Sequence, residues 1–200
     1  MRTATRLIGL AALVAVNVSC GDVVRQGSSP VFLVIDSLRG PTGTEQFQSD
    51  VITNRTTPDP CSVATPCPTV TSDNATAFLR APLKDPGATG GLSPTTNNEV
   101  TINSIHVEFS RADGLKKPGV DVPFAFDSAL TGTIRPGNTL QLTFELVRTV
   151  AKQEAPLVQL RTSSNVLSVI AKITFYGVDR VGNNIQTTGQ MQIEFGNFPG

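Results

Sequence analysis

His106 is the only histidine in the chain, so any Ser-His-Asp or Cys-His mechanism would have to run through it. Around it, alternation along a strand places Ser104, His106 and Glu108 on one outward face, with Ile105, Val107 and Phe109 on the other. Ser, His and Glu together are what a solvated sheet surface carries, and that is the expected role. Glu108, Glu145, Glu154 and Glu194 could supply the paired carboxylates of a glycosidase. Sugar sites, however, normally present Trp or Tyr platforms, and the chain has no Trp and a single Tyr, Tyr176. Glu145 and Glu194 therefore read as outward strand residues beside Thr and Gln. Calcium would need several oxygens from one turn. Asp179, Asn183 and Asn184 share a loop, and Asp113 and Asp121 flank another, but neither has the dense alternating spacing of a loop that binds by itself. Turn formation explains these residues. There is no Gly-rich phosphate loop, no dinucleotide fingerprint and no zinc spacing. The expectation is a protein without catalytic residues, cofactor or metal site, and not an enzyme.

The cysteines point elsewhere. Arg2 and Arg6 precede an apolar run from Leu7 to Val16, which has the length of an export signal and is too short for a permanent bilayer span. Ser19-Cys20-Gly21 follows, and the segment resembles a bacterial lipoprotein signal. In that family a small residue stands before the Cys, as Ser19 does; Asn17 stands where Leu, Val or Ile is usual. The resemblance implies that residues 1–20 form the signal, ending at the lipidation residue Cys20. Cys20 would begin the mature chain and carry its acyl groups, each buried methylene contributing about 0.8 kcal/mol of membrane affinity. Ordinary cleavage near Ser19, giving a secreted protein, is the alternative. Residues 21–29, with Gln26, Gly27, Ser28 and Ser29, read as a flexible tether. Lipidation of Cys20 leaves Cys61 and Cys67 as a pair, expected to form a disulfide in an oxidising compartment. A metal site there would lack a nearby His or third Cys.

Loss of Arg2 and Arg6 leaves 14 basic against 16 acidic residues, a net charge of −2, with no basic stripe. Nucleic acid is not an expected partner. The remaining length suits one domain, residues 30–200, and no second long apolar run follows the signal.

The elements that must position these residues read as strands. Val31–Leu38 is a continuous apolar run, predicting a strand buried on both faces, and Gln46–Thr53 a weaker one. Thr56–Pro68 holds four prolines and the Cys pair and reads as a long surface excursion. Ala77, Leu79 and Ala81 alternate within Thr69–Leu83, and Lys84–Asn98 is a second long loop. From Glu99, Val100 and Ile102 keep one phase and Ile105, Val107 and Phe109 the other, predicting a bulge at Asn103-Ser104. Arg111–Gly114 is a turn, Gly119–Phe126 a short edge strand interrupted by Pro123, and Leu130–Ile134 another strand. Thr139–Val147 directs Leu140, Leu142, Phe144 and Leu146 inward, and Glu154–Arg161 reads as one helical turn crossing between sheets.

The clearest pattern is the last. Val169, Ala171, Ile173 and Phe175, then Met191, Ile193 and Phe195, alternate with polar residues on either side of a turn placed at Gly177–Asn184. The count of about eight or nine short strands without a long amphipathic helix predicts an all-β, antiparallel two-sheet sandwich. The hairpin, with Gly177-Val-Asp-Arg-Val-Gly-Asn183, resembles the last two strands of bacterial immunoglobulin-like domains. That likeness implies a fold and carries no function. The functional expectation is a lipid-anchored module of the bacterial cell envelope. Its role would be structural or protein-interacting, with the membrane and an envelope protein as partners. An extracytoplasmic domain binding a small ligand, with or without calcium, is the alternative, and an envelope hydrolase a third reading.

Overall fold

Leu167–Asp179 (β9) and Asn184–Gly196 (β10) form an antiparallel hairpin of two 13-residue strands in unbroken register. The computed structural model in which they lie describes residues 28–85 and 95–198. The signal, Cys20 and most of the tether, and residues 86–94 of the Lys84–Asn98 loop, lie outside the described residues. Val169, Ala171, Ile173 and Phe175 of β9, with Met191, Ile193 and Phe195 of β10, are buried as their alternation demands. The turn is tighter than the composition suggested. β9 runs through Gly177 to Asp179, because Gly177 is needed in the strand itself. A Cβ there would lie 2.6 Å from the Thr101 carbonyl oxygen on the neighbouring strand.

Val100–Arg111 (β6) pairs with β9 on its other side and with Phe126–Ile134 (β7) beyond. Both ladders shift register between Ile102 and Ser104. The bulge keeps Val100, Ile102, Ile105, Val107 and Phe109 in the core, as the phase slip predicts. Gln46–Asp50 (β2) completes this sheet, in the order β2-β10-β9-β6-β7. It lies parallel to β10, so the sandwich is not antiparallel throughout.

The second sheet has the order β1-β5-β8, from Val34–Arg39 (β1), Asp73–Arg80 (β5) and Thr139–Val147 (β8). Ala75, Ala77 and Leu79 of the central strand and Leu142, Phe144 and Leu146 of β8 face the other sheet. Phe144 meets Phe175 edge to face across the layers, ring centroids 5.5 Å apart. The strand orders match an immunoglobulin-like sandwich: β1, β5 and β8 stand as strands A, B and E, and β10, β9, β6 and β7 as G, F, C and C′.

Three further expectations are corrected. Val31–Leu38 is not a doubly buried strand. β1 begins at Val34 on the edge of the smaller sheet, and Phe32 is 53% exposed. Gly119–Phe126 forms only an isolated bridge, Pro118 to Val122. Two prolines there lack the N–H a ladder requires, and the strand starts at Phe126. The crossing after β8 has two pieces, an α-turn Thr149–Gln153 (α1) and a 3-10 turn Leu157–Thr162, with Pro156 capping the second. Leu157 is buried beneath it and Leu160 partly so.

Within the proline-rich excursion, Thr53–Arg55 (β3) and Cys67–Thr69 (β4) pair as a two-stranded hairpin. Cys61 and Cys67 are joined in a disulfide, Cα atoms 5.3 Å apart. No helix among the described residues is long and apolar enough to cross a membrane.

Candidate functional sites at the two ends of the sandwich

The sandwich has two distinct ends. At the turn end lie the β9–β10 turn, the start of β6, the Arg135–Asn138 connection, and the point where the chain enters β1. At the crossover end lie α1, the 3-10 turn, the base of the β3–β4 hairpin and the start of β9.

The turn end is closed by Asp179, which is 3% exposed. Its Oδ1 accepts from the Val181 and Asn183 backbone N–H groups at 3.1 and 2.8 Å, and its Oδ2 from Asn183 Nδ2 at 2.8 Å. Burial pushes this carboxyl up, but hydrogen bonds from the side chain and backbone of Asn183, from Ser29 and from Val181 outweigh it. They hold the group below the usual carboxylate range. Asp179 thus ties the start of the domain to the hairpin turn. Asn183 serves as its donor, and both of its oxygens are already engaged. In the other loop Asp113 accepts from the Leu115 N–H and pairs with Arg111, while Asp121 accepts from the Lys117 N–H. These are turn roles. Among the described residues no group of three or more His, Cys, Asp and Glu side chains could hold a metal ion.

His106 sits on the outer face of the larger sheet with its Nδ1 2.8 Å from Asp127 Oδ1 on β7. Ser104 bonds instead to Asn103, so the structure brings no hydroxyl to the imidazole on that side. Glu108 takes a 2.6 Å bond from Lys172, and that bond lowers the carboxyl and raises the ammonium from their ordinary values. Glu145 stands 4.0 Å from Arg148, and Glu194 accepts from Gln46 Nε2 at 3.2 Å. Glu108, Glu145 and Glu194 thus go to separate partners, Glu154 is exposed at the end of α1, and no two of the four make a facing pair.

The crossover end holds a group that the sequence did not reveal. Lys152 of α1 is 1% exposed, among the largest fully buried side chains of the described residues. Its ammonium lies 2.9 Å from Asp73 Oδ2 at the start of β5 and donates to the Asp50 carbonyl at the end of β2, at 2.8 Å. Ser49 donates to the same Asp73 oxygen at 2.5 Å. Arg161 then donates to the Lys152 carbonyl, and Asn197 to that of Arg161, both at 2.8 Å. One charged side chain therefore joins both sheets and the crossover. In sequence Lys152 looks like an ordinary surface lysine on a short helical turn. The only hint is that Asp73 opens a strand whose next inward residues are Ala75 and Ala77.

Beside β2 runs an open groove of about 510 Å³, lined by Gln46, Gln48, Asp50 and Glu194 with Phe47 and Phe198. The fold and these surfaces define a two-sheet immunoglobulin-like sandwich with a disulfide-closed hairpin at one end. The chain matches no protein-family model and no curated protein.

Proposed function

We propose that this chain is a lipoprotein of the bacterial envelope, held to a membrane through Cys20, whose sandwich serves as a structural or protein-interaction module. The observation that carries the reading is the N-terminal arrangement: two arginines, an apolar run of signal length, then Ser19-Cys20. Support comes from the Cys61–Cys67 disulfide, the kind of bond that persists in oxidising compartments. The wide dispersal of His106 and the glutamates on flat sheet surfaces also favours recognition over turnover. The disulfide-closed hairpin is the surface on which a protein partner is sought. A single experiment tests this. The native protein is cross-linked in cells and recovered from membranes, and mass spectrometry reads its N-terminal peptide and its partners. An acylated Cys20 with one dominant protein partner is the expected result. An unmodified N-terminus past Cys20, with no partner enriched, would sink the proposal.

The groove beside β2 favours a second reading, an extracytoplasmic domain that binds a small polar ligand between Gln46, Gln48 and Glu194. A ligand taken there would raise the melting temperature with the logarithm of its concentration above Kd, and Gln48→Ala would diminish the rise. Calcium is tested in the same way, by melting with and without the ion.

A further inference from the structure

The chain enters the sandwich beside the β9–β10 turn. Ser29 bonds Asp179, Val31 bridges to Leu83, and Val34 pairs with Arg80 at the end of β5. Any anchor at Cys20 therefore pulls on the turn end. From Cys20 to Ser28 is a reach of at most about 28 Å of extended chain. β9, with 13 residues, runs from the crossover end to the turn end over about 40 Å. A tether shorter than the domain cannot let the domain stand inverted, with its crossover end on the membrane.

What remains is whether the domain stands on its turn end or lies on its side. The outer face of the larger sheet is mainly polar, with Ser104, His106 and Glu108 on β6 and Lys172 on β9, and Ile170 and Tyr176 as its apolar members there. The turn end is different. Val181, at the tip of the β9–β10 turn, is 68% exposed and Phe32 is 53% exposed, next to where the chain enters. Arg180 beside Val181 is largely exposed while its partner Glu99 is mostly covered, Lys84 Nζ lies 5.4 Å from the centre of the Phe32 ring, and Arg135 is exposed. Asp85 and Asp36, the latter paired with Arg80, are exposed acids at that end. Apolar tips set among cations are what a phospholipid surface accepts, the tips entering the headgroup boundary and the cations meeting phosphates.

We infer that the turn end, through Val181, Phe32, Arg180 and Lys84, rests on the phospholipid surface. The crossover end, with the disulfide-closed hairpin rooted there, is then presented away from the membrane. The inference rests on the lipid-anchor reading and gives it an orientation.

The test uses the full acylated chain in vesicles of phosphatidylethanolamine and phosphatidylglycerol. An environment-sensitive fluorescent amino acid is placed at residue 181 or at residue 166, opposite ends of β9 that are both exposed in the native domain. Headgroup-labelled nitroxide lipids should quench the probe at 181 several-fold more than the probe at 166. The double variant Val181→Asp/Phe32→Asp should lessen a difference read from a probe at Asn138, an exposed residue of the same end, with melting unchanged. Equal quenching at both ends, or stronger quenching at 166, in a chain whose mass shows acylated Cys20 would overturn the orientation alone. A chain without acyl mass that stays off the vesicles would overturn the anchor and the orientation together. A turn end protected by a bound protein instead of lipid would appear as unquenched 181 and also overturns it.

Discussion

Replacing Lys152 by Met removes the ammonium that satisfies the Asp73 carboxylate and the Asp50 carbonyl while keeping much of the buried stem. Taking away one partner of a buried ion pair costs about 3–5 kcal/mol, because the other charge is left uncompensated. Asp73 keeps the Ser49 hydroxyl and is 16% exposed, so water reaches it and the expected loss falls to about 2–3 kcal/mol. In a domain of this size that lowers Tm by roughly 5–10 °C. Asp73→Asn, which keeps an acceptor for Ser49, should cost a similar amount by stranding the buried ammonium. The double variant should then be more stable than the sum of the single losses predicts, by about 2 kcal/mol. Urea unfolding of the four proteins, with midpoints and slopes compared, measures this. Additivity within about 0.5 kcal/mol would refute the reasoning, since it would mean that the two groups do not sense each other.

Asp179→Ala should destabilise by about 2–3 kcal/mol, because two backbone N–H groups and the Asn183 amide lose a buried acceptor; chemical denaturation reads the loss. The same carboxyl sets a pH dependence. Its folded pKa lies below the unfolded value of 3.8, so its contribution is whole above that pH and disappears as pH falls through the folded pKa. Asp179→Asn should therefore flatten the stability profile below about pH 4, and an unchanged acid limb would count against the assignment. Gly177→Ala should cost about 1–3 kcal/mol, since the added methyl meets the Thr101 carbonyl and the β6–β9 ladder must shift; a melting curve checks it. Reduction of Cys61–Cys67 should lower stability by no more than about 2 kcal/mol and open the 56–66 segment to protease, with the sandwich core intact. His106→Ala should stay within about 0.5 kcal/mol of the parent by urea unfolding, because its partner Asp127 is 80% exposed.

Much of the core was legible in the sequence because strand alternation is a local property. Each inward residue of β9, β10 and the first half of β6 follows from a period of two. The Asn103 bulge follows from the one place where that period slips. The Cys61–Cys67 pair was legible for a similar reason, both cysteines lying in one short loop. β8 was delimited residue for residue by its own alternation.

Pairing is not local, and there the sequence fell silent. An apolar run such as Val31–Leu38 suits a central strand or an edge equally well, and its edge position is decided by β5 standing between β1 and β8. The parallel placement of β2 against β10 depends on how the chain returns across the sandwich, which no pattern inside Gln46–Asp50 encodes. Gly177 read as a turn residue because glycine favours turns, whereas the close approach of β6 makes it a strand residue. Lys152 shows the division most plainly. Its chemistry alone says surface, since a buried ammonium is costly. Asp73, Ser49 and Asp50 come from three distant stretches of chain, and only their convergence at the crossover end makes burial tolerable. The sequence by itself determined which faces are apolar, where one strand bulges and which cysteines can meet. The tertiary structure decided which strands stand at the edges, which charge is buried and which end of the domain the chain enters. Those are set by contacts between segments far apart in the chain, and no local period carries them.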